Sequence, residues 1–340
     1  MKAALLIAPF TLDIREIDKP KPKPEEVLIK MKTTGICGSD LHAYRGTHPF
    51  RKPPVVLGHE LAGEVEQVGM RVKTIEVGDV VTVEPWIYCG KCPYCLEERY
   101  NLCVDKRGMG TSEWQGSFAE YVVAPEDTVC KLPEGMSYEE GALIEPLAVG
   151  VHIVQEAKLN LGESVVIFGA GTIGLATLSC LIVAGITRII VTDVEDFNLK
   201  LASQIGATHI VNIRKESLGK VVNEVTGGKG VDLAIVAAGV ESLVGDATKV
   251  IRGRGRVIVP AIFSEYVKVD MFPVMCGEKH IQGAMTYTGK NFATAINLLA
   301  LSKISIKPLI THRIPLDGAG RAFNILDKKK EKVIKILFTF

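Results

Sequence analysis

Four cysteines crowd one stretch of the chain: Cys89, Cys92 and Cys95 have two residues between each, and Cys103 follows after seven more. Thiolates at that spacing wrap one zinc ion tetrahedrally, and four of them close its shell against water and substrate, so the site is expected to be structural. An iron–sulfur cluster is the competing chemistry, but the long gap before Cys103 and the lack of a second such run argue against it. A nucleic-acid-binding zinc ribbon would carry basic and aromatic company, whereas Lys91, Arg99 and Lys106 are offset by Glu97, Glu98 and Asp105. Of the eight cysteines the other four, Cys37, Cys130, Cys180 and Cys276, are scattered. That is the distribution of a cytoplasmic metal-binding chain, not of a disulfide framework.

Gly169, Gly171 and Gly174 form G-x-G-x-x-G directly after the apolar run Ser164 to Phe168 and at the start of a helix-like segment. Such glycines permit a tight turn, close backbone approach to a pyrophosphate and close helix-to-sheet packing, while the helix N-terminus supplies amides. Asp193 ends the next strand-like run, about 20 residues on, where a carboxylate accepts from a ribose 2′-hydroxyl. It repels the 2′-phosphate of NADP, and Val194, Glu195, Asp196, Phe197 and Asn198 offer no arginine to neutralise one, so NAD is the expected cofactor. The alternative for Asp193 is an ordinary helix N-cap.

Cys37 sits in Gly35-Ile36-Cys37-Gly38-Ser39-Asp40-Leu41-His42, a turn-rich stretch after a strand. Alone it reads as a small buried residue, and His42 as a surface or core histidine. Gly58-His59-Glu60, continuing through Gly63, Gly69 and Val72 to Gly78-Asp79, makes the whole spacing specific. With these motifs the chain resembles the zinc-containing medium-chain alcohol and polyol dehydrogenases, the branch of sorbitol, L-threonine and butanediol dehydrogenases, over essentially its full length.

The resemblance implies an α/β fold with three stretches: a GroES-like, partly open β-barrel catalytic domain over residues 1–146, a Rossmann doubly wound parallel sheet that binds NAD over 147–285, and a C-terminal return to the catalytic domain over 286–340. It implies two zinc ions per chain, one catalytic and one structural. Cys37 and His59 match catalytic zinc ligands, Glu60 a carboxylate that ligates or swings into the shell, and Glu145, in Leu143-Ile144-Glu145-Pro146-Leu147, the glutamate of the polyol and threonine branch. A zinc held by a thiolate, an imidazole and a carboxylate, with one open position, binds an alcohol oxygen and lowers its pKa. Ser39 and His42 stand where the family places its proton relay, from Ser39 through the cofactor ribose to His42 and solvent. Ile173, Ala261 and Ala284 are implied cofactor contacts, and Tyr44, Trp86 and Tyr287 candidates for the substrate pocket. His152, His209, His280 and His312 lack partner motifs and read as structural.

The implied function is hydride transfer from a secondary hydroxyl of a small polyol, diol, sugar acid or amino alcohol to NAD. Secondary alcohol, butanediol and L-threonine oxidation stay open. Sorbitol itself is in doubt: the family's Arg-Tyr pair is here Thr286-Tyr287, in a loop one residue longer. An NADPH-dependent quinone or enoyl reductase is disfavoured by the metal set and Asp193. A cofactor-binding regulator without turnover is the reading from another class, since a fold alone does not establish catalysis.

The elements that must position these residues follow two patterns. From Lys2 to about Val83 period-two apolar stretches broken by Pro and Gly read as strands, and Lys2 to Phe10 reads as a first strand, not a signal peptide. Tyr138 to Lys158 reads as helical with a break or kink at Pro146. Five apolar runs between Ser164 and Pro260 alternate with helical segments, the signature of a parallel sheet. The uncharged run Ser164 to Thr187, long enough to suggest a membrane span, is then a buried strand plus a buried helix. A helix around Phe292 to Ser302, short strands and a final Val333 to Phe338 run follow, and the Lys328 to Lys332 charge run reads as a solvated face. A length of 340 residues suggests two domains, and 47% hydrophobic residues suffice to bury both. With 40 basic and 39 acidic side chains and a net charge of +1, no field exists to hold nucleic acid or an anionic membrane, and a small-molecule substrate is the expected partner. The family resemblance adds a homo-oligomer, dimer or tetramer.

Overall fold

The computed structural model describes residues 1–328 and 331–340; Lys329 and Lys330, the middle of the Lys328 to Lys332 charge run, lie outside the described residues. The chain divides into two compact units, Met1–Glu145 with Thr288–Ser302 and Ile306–Phe340, and Pro146–Tyr287 with Lys303–Ser305.

The first unit is built on a seven-stranded sheet in which Glu26–Gly35 is central. Val27, Ile29 and Met31 alternate along that strand and bury one face against Leu61, Val65, Val81, Val83, Val122 and Ala124, the period of two that a pleated strand imposes. Glu60–Val68 pairs antiparallel on one side and Lys335–Thr339 on the other. The register places Gly35 opposite both Glu60 and Leu337. Three chain segments, those carrying Cys37, His59 and Lys335, are thereby brought to one end of the sheet. Ile310–Pro315 completes the edge, parallel to Lys335–Thr339. A second core joins Leu6, Val55, Val56, Leu57, Phe118, Phe323, Ile336 and Phe338.

The second unit is a six-stranded, all-parallel sheet in the spatial order His209–Asn212, Arg188–Asp193, Ser164–Phe168, Val231–Val236, Ile251–Val259, His280–Gly283. The order reverses direction at Ser164–Phe168, the switch point at which such sheets open a crevice beyond their carboxyl ends. Ser164–Phe168 is buried throughout and the helix Thr172–Val183 nearly so, which accounts for the uncharged run, because a parallel strand covered on both faces needs no polar side chains. Among the described residues no helix is long and apolar enough to cross a membrane. The chain is thus a two-domain α/β protein, a GroES-like unit and a Rossmann unit.

Three local readings differ. The stretch after Cys37 is a short helix, Gly38–Tyr44, rather than a succession of turns; its start is capped by Asp40, whose carboxylate accepts the Cys37 N–H at 3.0 Å. The helical break near Pro146 falls earlier, at Leu143, between Tyr138–Ala142 and Ile144–Ala157. Pro146 lies in the first turn of the second helix, where a missing N–H costs nothing. Ala319–Lys328 is a helix that the sequence reading left out; Ala319, Ala322, Phe323 and Ile325 form its buried face.

Candidate functional site

Asp40 is the hub of the first unit's site. Fully buried, its carboxylate accepts the N–H of Cys37 at 3.0 Å and of Gly58 at 3.3 Å and stands 3.4 Å from Nδ1 of His59. One carboxylate therefore ties the loop carrying Cys37 to the loop carrying His59. Burial alone would raise its pKa; His59 and Arg51 beside it hold it down at about 2. For His59, burial and the Arg51 charge oppose protonation, but Asp40 outweighs both and holds the pKa up at about 10. The His59 ring also lies within hydrogen-bonding reach of the Cys37 thiol, and its buried Nδ1 makes no hydrogen bond.

Glu60 is buried and its two oxygens each accept a hydrogen bond from Lys335 Nζ at 2.8 Å, while the Ile36 carbonyl accepts the third at 2.9 Å. An ammonium has three donors, and all three are used. Burial works against the Lys335 charge, but Glu60, Cys37 and Glu145 around it keep its pKa above the ordinary lysine value. Gly35 makes this possible, since a Cβ there would come within 2.1 Å of Glu60 Oε2. Glu145 is buried in the first turn of Ile144–Ala157. Cys37, His59, Glu60 and Glu145 thus share one neighbourhood, but their donor atoms are not gathered to metal distance, and Glu60 is engaged by Lys335. A thiolate, an imidazole and a carboxylate there suit a zinc ion.

Ser39 and His42 lie one helical turn apart on Gly38–Tyr44. Ser39 Oγ accepts a hydrogen bond from Arg51 Nη1 at 2.7 Å. His42 Nδ1 is 3.3 Å from Thr47 Oγ1, and its pKa is lowered by burial and by Arg45. Sequence reasoning missed Asp40, Arg51, His48 and Lys335. Lys335 had a signal: a lysine inside the apolar run Val333 to Phe338 must be buried and therefore paired.

Among the described residues the one group of three or more candidate ligands whose donor atoms lie within 4.8 Å of one another is Cys89, Cys92, Cys95 and Cys103. The N–H groups of Cys89 and Cys92 donate to the sulfurs of Cys103 and Cys89, both at 3.4 Å. Backbone N–H groups of Val104 and Cys95 lower the Cys92 pKa to about 6, whereas burial raises that of Cys95 to about 12. Thiols packed so closely ionise together only around a cation, and the cluster fits one zinc. Tyr88 packs over it and donates to Glu84 at 2.8 Å.

In the second unit, Gly169 has φ +100°, and a Cβ there would meet that of Ala238 at 2.8 Å; a Cβ on Gly174 would come within 1.9 Å of the Gly169 carbonyl. At Gly171 a Cβ would meet nothing within 4 Å. This open space at the N-terminus of Thr172–Val183 is a cradle that fits a diphosphate. Ile173 is half-buried in that helix's first turn. Asp193 Oδ2 accepts the Ala170 N–H at 2.7 Å, and Oδ1 accepts those of Val194 and Glu195 at 2.7 and 2.9 Å, so the carboxylate tethers the glycine loop to its strand. Ala261 and Ala284 follow the strands Ile251–Val259 and His280–Gly283 at the same carboxyl edge. Arg214 and Lys215, far from this loop in sequence, come to Glu195 at 3.5 Å and Asp196 at 2.5 Å.

The aromatic pocket candidates are packed. Tyr44 lies against Phe10 and Phe323 with centroids at 5.4 and 4.9 Å, Tyr287 is fully buried, and Trp86 is covered by Lys106 at 4.4 Å. Thr286, at the family's arginine position, has φ +47° and a buried Oγ1 without a hydrogen bond. His312 bonds to Thr311 and Glu331, and His209 to Thr208.

Residues 23–134 match the alcohol dehydrogenase GroES-like domain and residues 172–301 the zinc-binding dehydrogenase domain. The chain is 39% identical to the D-arabitol-phosphate dehydrogenase of Enterococcus avium, over 94% of this chain and 92% of that protein. It is 35% identical to the sorbitol dehydrogenase of Bacillus subtilis, over 99% and 96%. The solved structure of 2R,3R-butanediol dehydrogenase from Bacillus subtilis superposes with a TM-score of 0.91 at 33% identity, covering 100% of this chain and 99% of that one. With its cysteine lobe, its glycine loop and the Cys37 and His59 loops held on Asp40, the chain belongs to the zinc-dependent medium-chain alcohol and polyol dehydrogenases, NAD(P)-linked oxidoreductases.

Proposed function

We propose that the protein oxidises a secondary hydroxyl of a small polyol or polyol phosphate with NAD. The observation that carries this reading is the convergence of Cys37, His59 and Ser39 on Asp40 and Arg51, a built site for a metal and a proton acceptor side by side. We assign Cys37, His59 and Glu145 as ligands of a catalytic zinc; Glu60, with both oxygens on Lys335, serves as a charge-balancing neighbour. The zinc, when bound, supplies Lewis acidity to the substrate hydroxyl. Ser39 accepts the substrate's hydroxyl proton, and His42, neutral at physiological pH because burial lowers its pKa, takes it onward to solvent. The four-cysteine cluster holds a second, structural zinc.

NAD, when bound, supplies the hydride acceptor, with its diphosphate over Gly171, and Gly169, Ile173, Gly174, Ala261 and Ala284 lining its path. Its ribose would share Asp193 with the amides that this carboxylate now accepts. The carboxylates of Asp193, Glu195 and Asp196 on this segment support NAD over NADP, because they repel a 2′-phosphate. On this reading residues 1–146 and 286–340 are catalytic and 147–285 bind the cofactor. Polyol phosphates enter because the arabitol-phosphate enzyme is 39% identical. We place the protein in the cytoplasm, where eight unpaired cysteines are kept reduced, as a homodimer or homotetramer like others of its family.

The test is NADH formation from pentitols, hexitols, their phosphates, vicinal diols, sugar acids and threonine, with NAD and NADP in parallel and with a strong chelator. Chelator-sensitive turnover with NAD is expected on a polyol or its phosphate. Turnover that prefers NADP, or that survives complete zinc removal, would refute the assignment.

A further inference from the structure

We infer that Arg51 is a positioning residue for proton transfer, one that aims the Ser39 hydroxyl. The inference rests on the reading of Ser39 as proton acceptor and adds a residue to it. Arg51 is 5% exposed, and burying a guanidinium costs several kcal/mol unless close partners offset it. Nη2 donates to the Met109 carbonyl at 3.2 Å, Nη1 donates to Ser39 Oγ at 2.7 Å, and Nε is buried without a partner. The charge faces Asp40 and lies near His48 and His59. A planar cation has thus been set between the loops of the candidate metal site with one arm on the serine.

The direction of that bond is what matters. A guanidinium only donates, so Ser39 Oγ must accept from it. A hydroxyl has one proton to give and two lone pairs. The Arg51 bond fills one lone pair and leaves the two features that a relay uses, one lone pair for the incoming proton and one O–H to pass outward. Had Ser39 been bonded to a carboxylate or a carbonyl, its own proton would have been consumed. The charge-assisted bond also fixes the side-chain direction, so that the free lone pair and the O–H keep one orientation.

The local chain is shaped for this. His48 Nδ1 accepts the N–H groups of Phe50 and Arg51 at 3.2 and 3.1 Å, fixing the loop from which the guanidinium extends. Gly110, at φ +81°, passes close above it, where a Cβ would stand 3.3 Å from Nε.

The experiment compares Arg51→Met, Arg51→Lys, Ser39→Ala and the double variant Ser39→Ala/Arg51→Met in the zinc-loaded protein. Substrate oxidation, NADH binding by fluorescence, zinc content and Tm are measured for each. Arg51→Met is expected to lower kcat by about 10- to 100-fold, less than the roughly 10²- to 10⁴-fold of a direct proton-transfer group because Arg51 acts through Ser39, with KM, NADH affinity and zinc content unchanged and a larger solvent isotope effect on kcat. In the Ser39→Ala background the same change should have no further effect on kcat. Arg51→Lys keeps the charge against Asp40, and hence the fold, but a flexible ammonium lacks the rigid planar fork that holds Ser39 and the Met109 carbonyl together, so it should lose most of the same rate. Full kcat in folded Arg51→Lys, or an equal loss in the wild-type and Ser39→Ala backgrounds, overturns the role of Arg51. Full kcat in Ser39→Ala instead overturns the serine relay beneath it.

Discussion

Removing one partner of a buried ion pair leaves the other charge stranded, and the Lys335 and Glu60 side chains are only 3% and 1% exposed. Lys335→Met should therefore lower unfolding free energy in urea by about 3–5 kcal/mol, and Glu60→Gln added to it should restore most of that loss. A second residue sets a pH dependence. His48 Nδ1 accepts two backbone N–H groups and so must carry no proton there; burial and then Arg51 lower its pKa from 6.5 to about 4. Between pH 6.5 and about 4 only the unfolded chain binds this proton, so stability falls as pH drops through that window. His48→Asn offers a carbonyl oxygen that accepts but does not titrate, and Tm measured from pH 7 to 4 should be flatter for that variant than for the parent. The sequence signalled that Lys335 is buried but not that Glu60 is its partner, and it gave no signal for His48, because each depends on a partner that the fold delivers.

At the scale of elements, the glycine loop separates what packing requires from what a ligand requires. Gly174→Ala drives a methyl into the Gly169 carbonyl and should lower both Tm and NADH affinity. Gly171→Ala meets no protein atom within 4 Å, so Tm should stay within about a degree while NADH affinity, titrated by fluorescence, falls at least about tenfold. Equal NADH affinity in Gly171→Ala would place the diphosphate elsewhere. The loop was legible from sequence because strand, turn and helix are contiguous and their periods change within one short window. The helix Ala319–Lys328 was not: it is amphipathic, but its apolar face is matched to strands and to Phe118 from the distant N-terminal part of the chain.

At the scale of the whole molecule, stability and turnover should be separable, because the cysteine lobe and the Asp40 site share no candidate ligand. Cys92→Ala should lose one zinc per chain and several degrees of Tm while the surviving folded protein keeps its kcat. Zinc release to a chelator should accelerate as pH falls, because protons compete with the metal for the thiolates. The two-domain α/β architecture, the four-cysteine cluster and the glycine loop were determined by the sequence alone, since each is written in a short window where spacing sets geometry. The working arrangement of the site was decided only by the tertiary structure. Lys335 lies 275 residues from Glu60, and Arg51 reaches Ser39 across a loop of no regular period. Such pairs leave no local pattern; they exist because strand register and burial bring the charges together and solvent is no longer there to screen them.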